Sequence, residues 1–73
     1  MDEHLYKIIE LVGTSSESWE AAARSAVEQA SAHLSDLRIA EVSKLDLHIV
    51  DDKVVSYRAR LKVSFKYHGE MHK

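Results

Sequence analysis

The sequence predicts an α+β subunit of order β-α-β-β, a three-stranded antiparallel sheet carrying one amphipathic helix. Three observations predict it. A short stretch rich in β-branched residues ends at Gly13, a single run of apolar residues at steps of three and four follows it, and the last third of the chain alternates apolar with polar.

Residues 5–12, Leu-Tyr-Lys-Ile-Ile-Glu-Leu-Val, form the first strand. Leu5, Ile9 and Leu11 lie on one parity, and Tyr6, Ile8 and Val12 on the other. A strand apolar on both faces needs cover on both, and in so short a chain the second cover is expected from another subunit. Thr14 and Glu17 have the Thr-x-x-Glu spacing of a capping box, with Ser15 and Ser16 as alternative caps. From there Trp19, Ala22, Ala26, Ala30 and Leu34 mark the apolar stripe of a helix over about 16–35. Its inner face is mostly alanine, which favours helix and lets the axis lie close to a sheet.

The last strand, 54–67, is the clearest signal. Val55, Tyr57, Ala59, Leu61, Val63, Phe65 and Tyr67 share one parity, whereas Arg58, Arg60, Lys62 and Lys66 share the other. One face therefore belongs to the core and the other is cationic. In the second strand, 38–50, Leu45, Leu47 and Ile49 share the parity of Ile39, but Ala40 and Val42 hold the opposite one. The phase changes between Val42 and Leu45, as a β-bulge would produce. A two-residue loop would oppose apolar Leu47 to polar Ser56, whereas a three-residue loop, Asp51-Asp52-Lys53, sets Leu47 opposite Tyr57 and Ile49 opposite Val55, so three residues are expected. The three-residue loop also sets Asp46 opposite Arg58.

Size and composition bound what this subunit can be. With 73 residues the chain is a single domain, its ordered core at 5–67 and a tail at 68–73. Such a chain buries only about 60–65% of its unfolded surface. Cysteine is absent, so there is no disulfide and no thiolate metal site. That fits a reducing, cytoplasmic setting and leaves oligomerisation as the means of stabilising a small core. A formal charge of −2 gives no overall attraction to nucleic acid or anionic lipid. Neither a membrane span nor a secretory signal is expected.

Tyr6-Lys7-Ile8-Ile9-Glu10-Leu11-Val12-Gly13-Thr14-Ser15, Glu41-Val42 after the helix, and Lys62-Val63-Ser64-Phe65-Lys66 resemble the dodecins, in order and without a gap over residues 5–67. The resemblance implies a homo-oligomer, a hollow sphere of twelve β-α-β-β subunits. In flavin-binding members it implies storage of riboflavin or FMN in stacked pairs near the symmetry axes. It also implies four site positions. The ring-stacking tryptophan of flavin binders corresponds to Ile39, a flavin-contacting glutamine to Arg58, an arginine on the second strand to Asp46, and a terminal basic residue to Lys66. Only Lys66 is retained in kind. Losing a stacked ring removes about 0.5–1.5 kcal/mol per aromatic pair. The Asp46–Arg58 pair would fill the slot, so weak flavin binding is expected. The Ser18-Trp19-Glu20 and Arg38-Ile39-Ala40 segments are similar to a tryptophan-less branch, the calcium-associated dodecins.

Other residues carry weaker chemistry. Trp19 offers a stacking ring but sits on the apolar helix stripe, so a core or interface role is preferred. The Arg58, Arg60, Lys62 and Lys66 stripe offers phosphate contacts; the plainer reading is a sheet face neutralised by Glu41, Asp46 and a neighbouring subunit. Asp51 and Asp52 offer hard oxygens to a cation such as calcium, which symmetry could multiply; the plainer reading is a hairpin turn. His68, Glu70 and His72 have metal-ligand types without a helix to align them, and His48 reads as an exposed strand residue. No nucleophile and base pair up, and no glycine-rich phosphate loop exists, so an enzyme is the least supported class. The leading reading is a non-enzymatic cage binding a small ligand or divalent cation; the alternatives are a working flavin store and a purely structural oligomer.

Overall fold

In the computed structural model, which describes residues 5–66, strand β1 (Tyr6–Ser15), helix α1 (Trp19–Ala30), strand β2 (Leu37–Val50) and strand β3 (Lys53–Lys66) follow in order. The sheet order is β1-β3-β2, antiparallel throughout, so the alternating strand is central. Centrality explains its clean pattern. Ala59, Leu61 and Val63 lie under the helix at 0–1% exposure and form the core with Ala22. Ile9, Leu11, Ala26 and Val27 close around them.

Two expected boundaries move. The Thr14–Glu17 capping box does not form, because Gly13, Thr14 and Ser15 continue β1 and pair with Ala59, Arg58 and Tyr57. Ser18 caps the helix instead, its hydroxyl accepting from the Ala21 amide at 2.9 Å. At the other end the helix stops at Ala30 rather than 35. Ser31 donates its hydroxyl to the Glu28 carbonyl at 2.7 Å, and a tighter turn follows. Asp36, at φ 59°, redirects the chain into β2.

Gly13 is required by contact rather than by conformation. A Cβ there would overlap the Ala22 carbonyl oxygen and stand 2.8 Å from Ala26 Cβ. The alanine face and this glycine let the helix rest almost directly on β1.

Residue Ser43 is the β2 bulge: Val42 pairs with Leu61 and Lys44 with Arg60, leaving Ser43 without a register partner. Ala40, Val42, Leu45 and Leu47 thereby fall in register with the helix-side residues of β3, and Ile39 falls on the opposite, outer face. Arg38 is skipped in the same way. The hairpin corrects the three-residue loop. Asp51 and Asp52, at φ 53° and 63°, form a two-residue turn of type I′ sense, which suits the strand twist. Val50 pairs with Lys53 and Ile49 with Val54, so the expected Ile49–Val55 pair is absent. The skipped residue Val55 restores the register, so that Leu47 still faces Tyr57 and Asp46 still faces Arg58.

The helix lies over β1 and β3 and barely touches β2. Val42, Leu45 and Leu47 consequently remain exposed. β1 ends opposite Tyr57, and beyond it the β2–β3 hairpin is a two-stranded ribbon carrying exposed Ile49, Val50, Val54 and Val55. No helix among the described residues is long and apolar enough to cross a membrane.

Candidate functional site

The outer sheet face carries the four positions singled out in the sequence, and it divides them. Asp46 and Arg58 meet in the middle of the β2–β3 ladder. Arg58 Nε donates to Asp46 Oδ1 at 2.7 Å and Nη2 to Oδ2 at 3.1 Å, a two-pronged ion pair. Both side chains remain about half exposed, at 41% and 49%. The hydrogen bond from Arg58 lowers the Asp46 carboxyl below its ordinary value, against an opposing desolvation, and the charges of Arg58 and then Arg60 add to the lowering. Arg58 is raised by the same bond.

Ile39 is elsewhere. Its register partner is Ser64, six residues from Arg58 along β3, or roughly 20 Å at ~3.3 Å per residue. Ser64 donates its hydroxyl to the Ile39 carbonyl at 3.4 Å, and the Ile39 side chain is left 69% exposed. Lys66 belongs to this second end, in register with Tyr6, its amide donating to the Asp36 carbonyl at 3.1 Å. The four positions of one chain thus fall into two candidate half-sites, Asp46 with Arg58 and, at the far end of the sheet, Ile39 and Lys66.

Trp19 is tied to the first half-site. Its indole N–H donates to the Asp46 carbonyl at 3.0 Å, and its ring meets Tyr57 edge to face, with centroids 5.3 Å apart at 75°. The first helical residue therefore reaches across β3 to hold β2 where Asp46 grips Arg58. Sequence reasoning placed Trp19 on the apolar stripe and missed this bond, because its partner is 27 residues distant and is a backbone atom.

On the helix side, a groove of about 350 Å³ runs between α1 and β2, lined by Ala23, Val27, Ala40, Val42 and Leu61, with Arg24 and Glu28 at its rim. A second, of about 250 Å³, opens beside Trp19, Ala23 and Leu45.

Asp51 and Asp52 occupy the hairpin turn and are exposed. Among the described residues no three acidic or histidine side chains converge as a metal site. Calcium takes six to eight oxygens, so the turn of a single chain falls short of a calcium shell. His68, Glu70 and His72 lie outside the described residues.

Comparison with known proteins gives a consistent set of relatives. A family model described as dodecin matches residues 5–68. The calcium dodecin of Mycobacterium tuberculosis is 42% identical over 62 residues, covering 85% of this chain and 87% of that protein. The structure of dodecin from Streptomyces coelicolor aligns with a TM-score of 0.89 at 34% identity, over 96% of this chain and 100% of that one. The crystal structure of the M. tuberculosis calcium dodecin, described as a calcium-chelating antigen with a novel calcium-binding site, aligns with a TM-score of 0.81 at 38% identity, over 94% and 99% of the two chains.

Proposed function

The chain belongs to the dodecin family, and from that premise we propose that it is a non-enzymatic, twelve-subunit cage that sequesters a small ligand or divalent cation, its flavin slot closed. The bidentate Asp46–Arg58 pair carries this reading. It occupies two of the positions at which flavin-binding relatives resemble one another and ties up the donors a flavin edge would need. Ile39 supplies no aromatic ring at the third.

Assembly is supported by what one subunit leaves bare. Val42, Leu45 and Leu47 are apolar, in register with the core and uncovered. A two-stranded ribbon is marginal in water by itself, so the hairpin arm needs a neighbour. The separated half-sites point the same way, because the Ile39–Lys66 end of one subunit has to meet another subunit's residues to form an enclosed site.

Calcium is the favoured cation because the chain is 42% identical to a protein named calcium dodecin. Asp51 and Asp52 supply two carboxylates per subunit, and several copies would have to pool them. The test is calorimetric titration of the purified particle with calcium and, separately, with FMN. Saturable calcium binding and a colourless preparation are expected. Asp51→Asn combined with Asp52→Gly preserves a type I′ turn and is expected to abolish calcium binding with the particle intact. Tight FMN binding with no calcium response would overturn the proposal.

A further inference from the structure

We propose that Lys44 and Arg60 form a phosphate-binding site on the outer sheet face, suited to a small organic phosphate. The site does not rest on the reading of the flavin slot or of calcium.

The basic stripe of β3 is sorted by its neighbours in register. Arg58 is taken by Asp46. Lys62 stands between Glu10 on β1 and Glu41 on β2, and Lys66 faces Tyr6. Arg60 differs. Across from it are Val12 on one side and Lys44 on the other. No ion pair joins either cation to another described residue, and both are exposed. The nearby carboxylate of Asp46 already has both oxygens on Arg58.

Like charges directly opposite one another destabilise a sheet, yet here the chain builds such a pair. In an unbroken ladder Ser43 would follow Val42 and stand opposite Arg60. The bulge skips it, puts Lys44 there, and is tied down by the Ser43 hydroxyl donating to the Arg60 carbonyl at 3.1 Å. Bulges re-aim side chains in this way. A dianion between the two cations converts the repulsion into two attractions. The guanidinium fork matches phosphate geometry and the lysine adds a point charge. Val12, half exposed beside Arg60, gives the ester's organic part an apolar rest.

The experiment is calorimetric titration of the full-length protein with inorganic phosphate, phenyl phosphate and succinate, at matched ionic strength in phosphate-free buffer. Inorganic phosphate and phenyl phosphate are expected to bind saturably, phenyl phosphate more tightly. Lys44→Gln and Arg60→Gln should each weaken both by roughly tenfold or more, the weight of one charge-assisted contact. Val12→Ser should weaken phenyl phosphate alone; an equal loss for both ligands would overturn the apolar rest. Without phosphate, Lys44→Gln should raise the thermal midpoint at low salt by relieving the repulsion. No saturable binding, succinate binding as tightly as phosphate, unchanged affinity in Lys44→Gln, or a Lys44→Gln protein less stable than the parent would each overturn the proposal.

Discussion

Asp46 and Arg58 face each other across β2 and β3, and the guanidinium closes on the carboxylate with two parallel hydrogen bonds of 2.7 and 3.1 Å. The same Asp46 accepts the Trp19 indole through its carbonyl. One residue therefore joins the helix start, the middle strand and an edge strand. Its carboxyl is also held below its ordinary value by the bond from Arg58, which makes it the natural site to probe.

A carboxyl whose folded pKa lies below its unfolded value contributes stability above the unfolded pKa, and the contribution is lost as the pH falls through the folded value. Asp46 starts from 3.8 and is lowered by Arg58. At pH 7, Asp46→Asn is therefore expected to unfold at a lower temperature than the parent. The gap should begin to close as the pH falls through about 4 and vanish in stronger acid. Thermal melts at several pH values check this, and a gap unchanged in acid would contradict it.

Flavin binding should be recoverable only by joint replacement. Ile39→Trp alone adds a ring, but the ion pair still holds the edge contacts. Adding Asp46→Arg and Arg58→Gln should raise riboflavin affinity by more than the separate changes combined, since the blocking pair must go before the new donors act. Fluorescence quenching across the series measures it. Strictly additive gains, or sub-micromolar binding by the parent, would argue against a closed slot.

Gly13→Ala introduces one methyl where the helix backbone already lies. Separating helix and strand to admit it would disturb the Ala22–Leu61–Val63 core, a cost of about 1–3 kcal/mol or more. Denaturant unfolding should show the loss. A neutral outcome would mean that the helix rides further from β1 than the structure places it.

The uncovered edge of β2 offers a clean assembly probe. Leu45 is 51% exposed in the single subunit, so Leu45→Asp leaves that subunit's own core untouched. Light scattering should report a twelve-subunit mass for the parent and a smaller species for the variant. If the variant kept the parent's mass, this face would not be an interface.

Much of the fold was legible in the residue pattern because the central strand is covered by a helix on one face and is cationic on the other. That burial contrast wrote the alternation of β3 into the sequence. The phase change at Ser43 was visible for the same reason: Val42 and Leu45 must both face the helix side. The Asp46–Arg58 register was equally readable, since a one-residue slip would have turned Leu47 away from Tyr57.

Other features depended on contacts that no local window contains. Thr14 and Glu17 have capping-box chemistry, but Ser15 lies against Tyr57 in the sheet, and pairing with a strand some forty residues later outcompeted the local cap. The loop length came out one residue too long because an ideal ladder leaves no room for the bulge at Val55, which the finished sheet tolerates beyond the end of β1. The bond from Trp19 to the Asp46 carbonyl has no sequence signature at all. The sequence alone determined the elements, their faces and the residue types at the site. Tertiary packing decided where the helix begins, which carbonyl the indole reaches, and that Val55 is skipped so that the hairpin closes on two residues, because those outcomes depend on which backbone groups find partners only after the chain has closed.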